Sequence, residues 1–302
     1  MSELLDLFPG FASHWVDTDA GRIFARAAGS GPPLALIHGY PQTHAVWHRI
    51  AGGLAESFSV VAMDLRGYGQ SSAPASDKGE RYAKREMGGD VLRVMESLGH
   101  MRFYLAGHDR GARVGYRLAL DHRERVMKLA LLDIIPTITM WEGMNAARAV
   151  QVYHWPFLAQ PEPLPETLIG GAHRAYIDHT LAGFTKRKSL DAYDERALAR
   201  YRAFFSEPAR IHACCEDYRA GATIDIAHDA IDRGAGRTIS CPTLILWGDA
   251  GIPAAGSSPL DIWRSTFAPN ATGQAIDSGH SMPEENPDAT LAALLPFLTA
   301  AD

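Results

Sequence analysis

The most chemically informative residue in the sequence is Asp109, at the centre of residues 107–111, which read Gly-His-Asp-Arg-Gly. This pentapeptide follows the apolar run Phe-Tyr-Leu-Ala at 103–106 and precedes a helix-compatible segment. Small residues at both ends permit the sharp strand-to-helix turn of a nucleophile elbow, which exposes the central side chain above a sheet. The N-terminus of the following helix favours a negative charge there. We therefore predict that Asp109 is a nucleophile; an ordinary turn with a capping aspartate is the alternative.

A carboxylate nucleophile restricts the reactions that such a site could catalyse. Attack on an acyl group would form a reactive anhydride, whereas attack on a saturated carbon forms an ester that water can later cleave. A carboxylate also needs no deprotonation at neutral pH. Alkyl halides and epoxides are therefore the expected substrates.

Cleavage of that ester requires a base that activates water, and His280 is the candidate. It lies in residues 277–283, after the last apolar run, and the chain order of nucleophile, acid and histidine fits this arrangement. The acid that orients the histidine has two candidates. Asp133 ends the run at 129–132 and Asp249 follows Trp-Gly at 247–248, and either carboxylate could hold the ring tautomer of His280.

An anion-stabilising hole is predicted beside the nucleophile. Residues 38–41, His-Gly-Tyr-Pro, follow an apolar run and match the turn that supplies one of the two backbone donors of such a hole. The donors here would be the N–H groups of Tyr40 and Arg110, which would hold the tetrahedral oxyanion during ester hydrolysis. A plain Gly-x-Pro turn is the alternative.

These residues must be positioned by a sheet. Six short apolar runs of the buried-strand type alternate with helix-length segments, at residues 34–38, 60–64, 103–107, 128–133, 243–248 and 274–277. This alternation predicts an α/β fold with a mostly parallel sheet covered on both faces. Apolar residues at helical spacing between 85 and 99 predict a helix that leads into the third run.

The alternation stops after Asp133. Residues 137–226 are helix-like, rich in aromatic residues and arginine, and interrupted by prolines at 161, 163 and 165. We predict a core in two parts, 1–136 and 227–302, with a helical cap at 137–226 inserted between them. Ligands of such folds bind at the carboxyl ends of the strands, so the cap would close the site from above.

Composition excludes several classes of protein. The formal net charge of −6 argues against a nucleic-acid surface. The three cysteines, of which two are adjacent, argue against a disulfide framework. The first residues lack a basic region followed by an apolar run, and no apolar stretch is long enough to span a membrane, so we expect a cytoplasmic protein. No dinucleotide fingerprint or zinc-type spacing is present, so we expect no cofactor and no metal.

The combined motifs resemble those of fluoroacetate dehalogenases. The segments that carry the resemblance are His-Gly-Tyr-Pro-Gln-Thr-His at 38–44, Gly-His-Asp-Arg-Gly-Ala-Arg at 107–113, Tyr-His-Trp-Pro at 153–156 and Gly-His at 279–280. The resemblance covers essentially the whole chain and implies an α/β-hydrolase fold with the cap inserted after the sixth strand. It also implies that Asp133 is the acid and that the protein is a homodimer. Tyr40 stands where the family often has phenylalanine, but the expected role of this residue uses only its backbone.

Two arginines favour an acidic substrate. Arg110 and Arg113 lie three residues apart at the start of a helix, so their side chains project from neighbouring parts of one face. Two guanidinium groups beside the nucleophile suit a bound carboxylate better than a neutral haloalkane. The alternative is that one or both of them pair with carboxylates of the cap.

The halide donors follow from the resemblance, which maps them onto His154, Trp155 and Tyr218. Donors aimed at the departing halide stabilise the transition state more than the ground state. By spacing alone these aromatic residues would be assigned to packing in the cap. Other cap tyrosines compete with Tyr218 for the role, namely Tyr153, Tyr176, Tyr193 and Tyr201.

The predicted function is therefore hydrolytic dehalogenation of a small halo-acid, such as fluoroacetate to glycolate and fluoride, through an ester on Asp109. An epoxide hydrolase is the nearest alternative, and it would need phenol donors for the ring oxygen. A haloalkane dehalogenase typically has tryptophan after the nucleophile, where this chain has Arg110. A non-catalytic ligand receptor on the same scaffold is the alternative from another class of protein.

Overall fold

The computed structural model describes residues 6–252 and 258–300. The strands are β1 (Ala12–Thr18), β2 (Gly21–Ala28), β3 (Pro33–Ile37), β4 (Ser59–Met63), β5 (Phe103–His108), β6 (Val126–Leu132), β7 (Thr243–Gly248) and β8 (Thr272–Ile276). The helices are α1 (Ala51–Ala55), α2 (Lys84–Ser97), α3 (Arg110–Asp121), α4 (Thr137–Glu142), α5 (Ala146–Gln151), α6 (His154–Leu158), α7 (Leu164–Phe184), α8 (Glu195–Phe204), α9 (Pro208–Ala222), α10 (Ile224–Gly234), α11 (Pro259–Thr266), α12 (Met282–Glu285) and α13 (Pro287–Thr299). Two short 3₁₀ helices span His44–Trp47 and Glu80–Tyr82.

The strands form one sheet of eight in the order β1-β2-β4-β3-β5-β6-β7-β8. All pairings from β4 to β8 are parallel, and the β1–β2 and β2–β4 pairings are antiparallel. The predicted α/β fold with a mostly parallel sheet is confirmed, and the six predicted strands correspond to β3 through β8. Central strands such as β3 and β4 are continuously apolar because helices cover both of their faces.

The hairpin formed by β1 and β2 was not predicted from the sequence. No residue of β1 is fully buried, and arginines interrupt β2 at positions 22 and 26. A half-exposed strand at the edge of a sheet does not need a continuous apolar run, so the pattern used to find the other strands was missing here.

Helix α3 begins directly after the nucleophile elbow and lies close against the sheet. Gly111 permits this, because a Cβ atom at this position would lie 2.3 Å from the carbonyl oxygen of His38. The close packing brings the start of α3 next to the end of β3. The elbow and the turn after β3 are therefore adjacent in space.

Helices α4 to α10 all lie between β6 and β7, and no strand occurs among them in the described chain. We call residues 137–234 the helical insertion; its last helix, α10, extends eight residues past position 226, where the predicted cap ends. Within the insertion, α9 contacts α6, α7 and α10, and α10 contacts α4; α9 also contacts the second 3₁₀ helix of the core, and α8 contacts the first.

Within the described ranges, no helix has both the length and the apolar character needed to cross a membrane. No group of three or more histidine, cysteine or acidic side chains there is placed to hold a metal ion. Cys214, Cys215 and Cys241 are free thiols. The first five residues, on which the expectation about a signal peptide partly rests, lie outside the described residues.

Candidate active site

Asp109 occupies the turn between β5 and α3. Its backbone has φ of +46° and ψ of −117°, a conformation that is strained for a residue with a Cβ atom. Backbone hydrogen bonds hold it there: its N–H donates to the carbonyl of Leu132 at 3.2 Å, and its own carbonyl accepts from the N–H of Arg113 at 3.1 Å. Such a turn presents the carboxylate at the carboxyl edge of the sheet, as a nucleophile elbow requires.

The turn after β3 contacts one oxygen of this carboxylate. The backbone N–H of Tyr40 donates to Oδ2 of Asp109 at 2.9 Å. Gly39 makes the approach possible, because a Cβ atom there would lie 2.5 Å from Cβ of Asp109 and 2.9 Å from the backbone nitrogen of Arg110. The N–H of Tyr40, one of the two predicted oxyanion donors, thus contacts the carboxylate, and the backbone nitrogen of Arg110, the other, lies beside Gly39 of the same turn.

His280 lies between the other oxygen of Asp109 and a second carboxylate. Its Nε2 is 3.8 Å from Oδ1 of Asp109, and its Nδ1 is 2.5 Å from Oδ2 of Asp133. Asp133 is fully buried and its Oδ1 accepts from the backbone N–H of Gly248 at 2.9 Å. One oxygen of Asp133 is therefore fixed by the backbone, so that the other can orient the imidazole ring.

Asp249, the other candidate acid, is placed elsewhere. Its carboxylate forms an ion pair with Lys186 at 2.7 Å, and its side chain is 46% exposed. Of the two alternatives from the sequence, the structure places Asp133, and not Asp249, in contact with His280.

The pKa values of Asp109 and His280 are shifted in the directions that a nucleophile and a base require. Burial alone would raise the pKa of Asp109, but the charges of His280 and Arg110 outweigh it and lower that pKa below its ordinary value. Burial alone would lower the pKa of His280, but the hydrogen bond and charge of Asp133 outweigh it and raise that pKa. Asp109 is thus ionised, and an imidazolium formed at His280 during proton transfer is stabilised.

The side chain of Arg110 pairs with a residue of the helical insertion. Its Nη2 lies 2.5 Å from Oδ1 of Asp217 on α9 and also donates to the backbone carbonyl of Asp217 at 2.7 Å. The charge of Asp217 raises the pKa of Arg110 despite the opposing effect of burial. Pairing with a carboxylate of the insertion, one of the alternatives from the sequence, therefore occurs at Arg110. Its Nη1 nevertheless has no hydrogen-bond partner in the described chain.

Arg113 is buried without a carboxylate partner. Its Nη1 donates to the carbonyl of Ile135 at 3.1 Å and to Oγ1 of Thr137 at 3.0 Å, whereas Nε and Nη2 have no partner among the residues that the structure describes. Burial and the neighbouring charge of Arg110 lower the pKa of Arg113. Buried donors are normally satisfied, so these two N–H groups are available to water or to a ligand.

The three predicted halide donors cluster beside the arginines. The ring of Tyr218 lies 5.7 Å from that of His154 and 5.8 Å from that of Trp155. The guanidinium of Arg110 lies over the ring of Tyr218 at 4.4 Å, and that of Arg113 over the ring of Trp155 at 4.5 Å. Both arginines therefore help to fix the orientation of these rings.

Burial controls the protonation of these donors. It raises the pKa of Tyr218 well above its ordinary value, so the hydroxyl keeps its proton, and this buried hydroxyl has no partner within 6–252 and 258–300. Burial also lowers the pKa of His154 to about 3, so its ring is neutral at pH 7. Both side chains can thus donate a hydrogen bond to an anion.

The other tyrosines of the insertion have hydroxyl groups that are already engaged. Their partners are Thr180 for Tyr153, Tyr40 for Tyr176, Leu181 and Ser281 for Tyr193, and Glu284 for Tyr201. Among the described residues of the insertion, Tyr218 is therefore the one tyrosine whose hydroxyl has no hydrogen-bond partner.

A cavity of about 100 Å³ opens onto this site, and its lining includes Asp109, His154, Trp155, Phe184 and His280. A water molecule needs roughly 10–15 Å³ on the same measure, so the space suits a ligand of a few non-hydrogen atoms. Arg110, Arg113 and Tyr218 adjoin this lining, because each contacts the ring of Trp155.

Sequence reasoning missed three residues that support the site. Asp217 anchors Arg110, Thr137 accepts from Arg113, and Phe184 packs its ring 4.9 Å from that of His280. Asp217 directly precedes Tyr218, but one acidic residue in a charged helix gives no signal of its own. Thr137 and Phe184 belong to ordinary helical patterns, so only the tertiary structure identifies them.

Comparison with known proteins identifies the family. The sequence model described as the alpha/beta hydrolase fold matches residues 32–287. A fluoroacetate dehalogenase from Burkholderia sp is 40% identical over 98% of this chain and 96% of its own length. A soluble epoxide hydrolase from Corynebacterium sp. (strain C12) is 32% identical over 89% of this chain and 91% of its own length.

A solved structure agrees with these matches. A protein from Nostoc sp PCC 7120, provisionally described as an α/β hydrolase, is 50% identical and superposes with a TM-score of 0.92. The match covers 96% of this chain and 99% of the Nostoc chain, so the insertion is part of the shared architecture.

Proposed function

The chain belongs to the α/β-hydrolase family and is similar to fluoroacetate dehalogenase, and on that premise we propose that it hydrolyses the carbon–halogen bond of haloacetates. The reaction converts fluoroacetate and water to glycolate, fluoride and a proton. The observation that carries the proposal is the set of buried donors at Arg110, Arg113 and Tyr218 that have no partner among the described residues, near an ionised Asp109. An anion with a carboxylate at one end and a leaving halide at the other would satisfy them.

In the first step, Oδ1 of Asp109 attacks the carbon that bears the halogen. A carbon–oxygen bond forms as the carbon–halogen bond breaks, and the halide leaves with the bonding electrons. Arg110 and Arg113 hold the substrate carboxylate, and His154, Trp155 and Tyr218 stabilise the departing halide. We assign attack to Oδ1 because Oδ2 already accepts from the N–H of Tyr40.

In the second step, His280 takes a proton from water, and the resulting hydroxide attacks the ester carbonyl of Asp109. The oxyanion forms on Oδ2, where the N–H groups of Tyr40 and Arg110 stabilise it. Collapse of this intermediate breaks the bond between Cγ and Oδ1 of Asp109, and the departing glycolate oxygen takes the proton back from His280. Asp109 keeps one oxygen atom from water and loses the second proton of that water to solvent. Asp133 orients His280 and stabilises the imidazolium in the meantime.

Epoxide hydrolysis is the second candidate, since one relative is a soluble epoxide hydrolase. That reaction would use the same ester but would need acidic donors for the ring oxygen. Tyr218 is the one tyrosine of the described insertion whose hydroxyl is unpartnered, and two buried guanidinium groups would be unsatisfied by a neutral epoxide. A receptor without activity would not need Asp109, His280 and Asp133 in this mutual arrangement.

The test is an assay of halide release from fluoroacetate and chloroacetate, run beside diol formation from styrene oxide. We expect fluoride or chloride release with stoichiometric glycolate. Diol formation without halide release would replace the proposal with the epoxide hydrolase alternative. Inactivity of the purified protein on all three compounds would favour the receptor.

Arg113→Gln tests the proposed role of the arginines. We expect kcat/KM for chloroacetate to fall by about 10- to 100-fold, because hydrogen bonds to charged groups contribute about 1.5–3 kcal/mol each. Chloroacetamide, which is neutral and similar in shape, should be affected much less. The measurement is the ratio of kcat/KM for the two compounds.

Arg117→Gln is the matched control, since Arg117 is a buried arginine of the same helix that pairs with Asp121 and Asp232. It should reduce stability and leave the ratio unchanged. An unchanged ratio in Arg113→Gln would mean that Arg113 does not bind the carboxylate.

A further inference from the structure

His108, the residue before the nucleophile, is buried and has no part in the steps above. Its ring lies against that of His280, with centroids 4.7 Å apart, and its Nε2 is 2.7 Å from the backbone carbonyl oxygen of His280. Its side chain is fully inaccessible to solvent. A histidine in this place is an unusual choice for simple packing, because its other ring nitrogen, Nδ1, has no partner in the described chain.

The hydrogen bond defines the state of the ring. Because the partner is a carbonyl oxygen, Nε2 must carry the proton and donate. Burial lowers the pKa of His108 to about 3, so the ring is neutral and Nδ1 is the unprotonated nitrogen. A neutral ring matters here, since a second positive charge beside His280 would oppose its protonation during catalysis.

Three contacts from three elements hold His280. Its backbone N–H donates to the carbonyl of Phe184 at the end of α7, at 2.7 Å. Its ring Nδ1 is held by Asp133, which follows β6, and its backbone carbonyl is held by His108, the last residue of β5. His108 also pairs in register with Leu132, directly before Asp133. His108, which holds the backbone of His280, and Asp133, which orients its ring, are therefore carried by neighbouring strands of the sheet.

We propose that His108 is a positioning residue for the second step of the reaction: its Nε2–H fixes the backbone of His280 so that the imidazole can both reach water near Asp109 and keep Asp133. The inference rests on the proposed function. The Nε2–H of His108 donates to the backbone carbonyl of His280, so His108 acts through His280 and not on the reacting atoms. The first step, which needs only the Asp109 carboxylate and the donors of the halide, does not depend on it.

The experiment compares His108→Phe, which keeps a ring and removes the donor, with His108→Gln, which returns an N–H donor of similar reach. Rapid mixing with chloroacetate measures the first-turnover burst of chloride, and intact mass measures the lifetime of the ester on Asp109. For His108→Phe we expect an unchanged burst and an ester hydrolysed about 10- to 100-fold more slowly, since a displacement of about 1 Å can cost a factor of 100. His108→Gln should restore most of the rate.

A second measurement does not require a substrate. Titration of the His280 ring by nitrogen NMR should show a lower pKa in His108→Phe than in the wild type, because a loosened His280 loses part of its contact with Asp133. In His108→Gln this pKa should return toward the wild-type value. Thermal unfolding of both variants shows whether the fold is intact.

The outcomes separate the two proposals. If the wild-type protein releases no halide, the proposed function fails, and the NMR titration alone decides the role of His108. If ester lifetime and the pKa of His280 are both unchanged in His108→Phe, the positioning role is overturned. Equal slowing of the burst and of ester hydrolysis, without rescue by glutamine, would also overturn it, because it would show that His108 only supports the fold.

Discussion

His280→Asn is expected to convert the protein from a catalyst into one that reacts once. Alkylation of Asp109 needs no base, so one equivalent of halide should still be released from chloroacetate. Hydrolysis of the ester should slow by about 10²- to 10⁴-fold, the usual contribution of a general base. The ester should therefore accumulate, visible as one added carboxymethyl group on the intact protein and on the peptide that contains Asp109.

His122→Asn provides the control, because His122 is a half-exposed histidine at the end of α3 with no contact to the site. This variant should hydrolyse chloroacetate at the wild-type rate and accumulate no ester on Asp109. Continued turnover by His280→Asn, with no adduct at any time, would rule out His280 as the base. An adduct on a residue other than Asp109 would rule out the proposed nucleophile.

Asp109→Asn is expected to abolish both steps. The amide keeps the shape of the side chain and can still accept from the N–H of Tyr40, but it is a poor nucleophile. Halide release should fall by about a million-fold, the scale seen when a hydrolase loses its nucleophile. The measurements are halide release over hours and intact mass, which also shows whether the amide has reverted to aspartate.

Asp249→Asn is the matched control, since Asp249 is the partly exposed aspartate that forms an ion pair with Lys186. It should be close to the wild type in activity. Labelling adds an independent check: in water enriched with oxygen-18, repeated turnover should place the label in Asp109 of the wild type. Absence of label in that carboxylate after many turnovers would contradict the ester mechanism.

The sequence predicts the central sheet and the elbow because each has a local signature. Strands buried on both faces must be continuously apolar, and the turn that holds Asp109 needs small residues at 107 and 111. The edge strand β1 and its neighbour β2 lack such a signature, because a partly exposed strand tolerates polar residues on one face. Their presence follows from the tertiary structure alone.

The residues of the site also divide into those that have a local sequence signature and those that do not. Asp109 and His280 could be located from motifs, but the sequence left Asp133 and Asp249 as alternatives for the acid. The alternatives differ only in which loop reaches the imidazole, and that is set by the relative positions of β6, β7 and α7. Likewise, no spacing rule connects Arg110 with Asp217, which lies more than a hundred positions away. Contacts of this kind depend on how the insertion packs on the core.

The pairing of Asp217 has a consequence for protein engineering. This carboxylate of α9 pairs with Arg110 on α3 and with Lys84 on α2, which also pairs with Asp225 of α10 at 3.3 Å, and all four side chains are buried. A chimaera that received helices 137–234 from another relative would leave Arg110 buried without a counter-charge unless the donor segment carried an acidic residue at the position of Asp217. Because an uncompensated buried charge costs about 3–5 kcal/mol, such exchanges should be chosen first by charge at that position and only then by overall similarity.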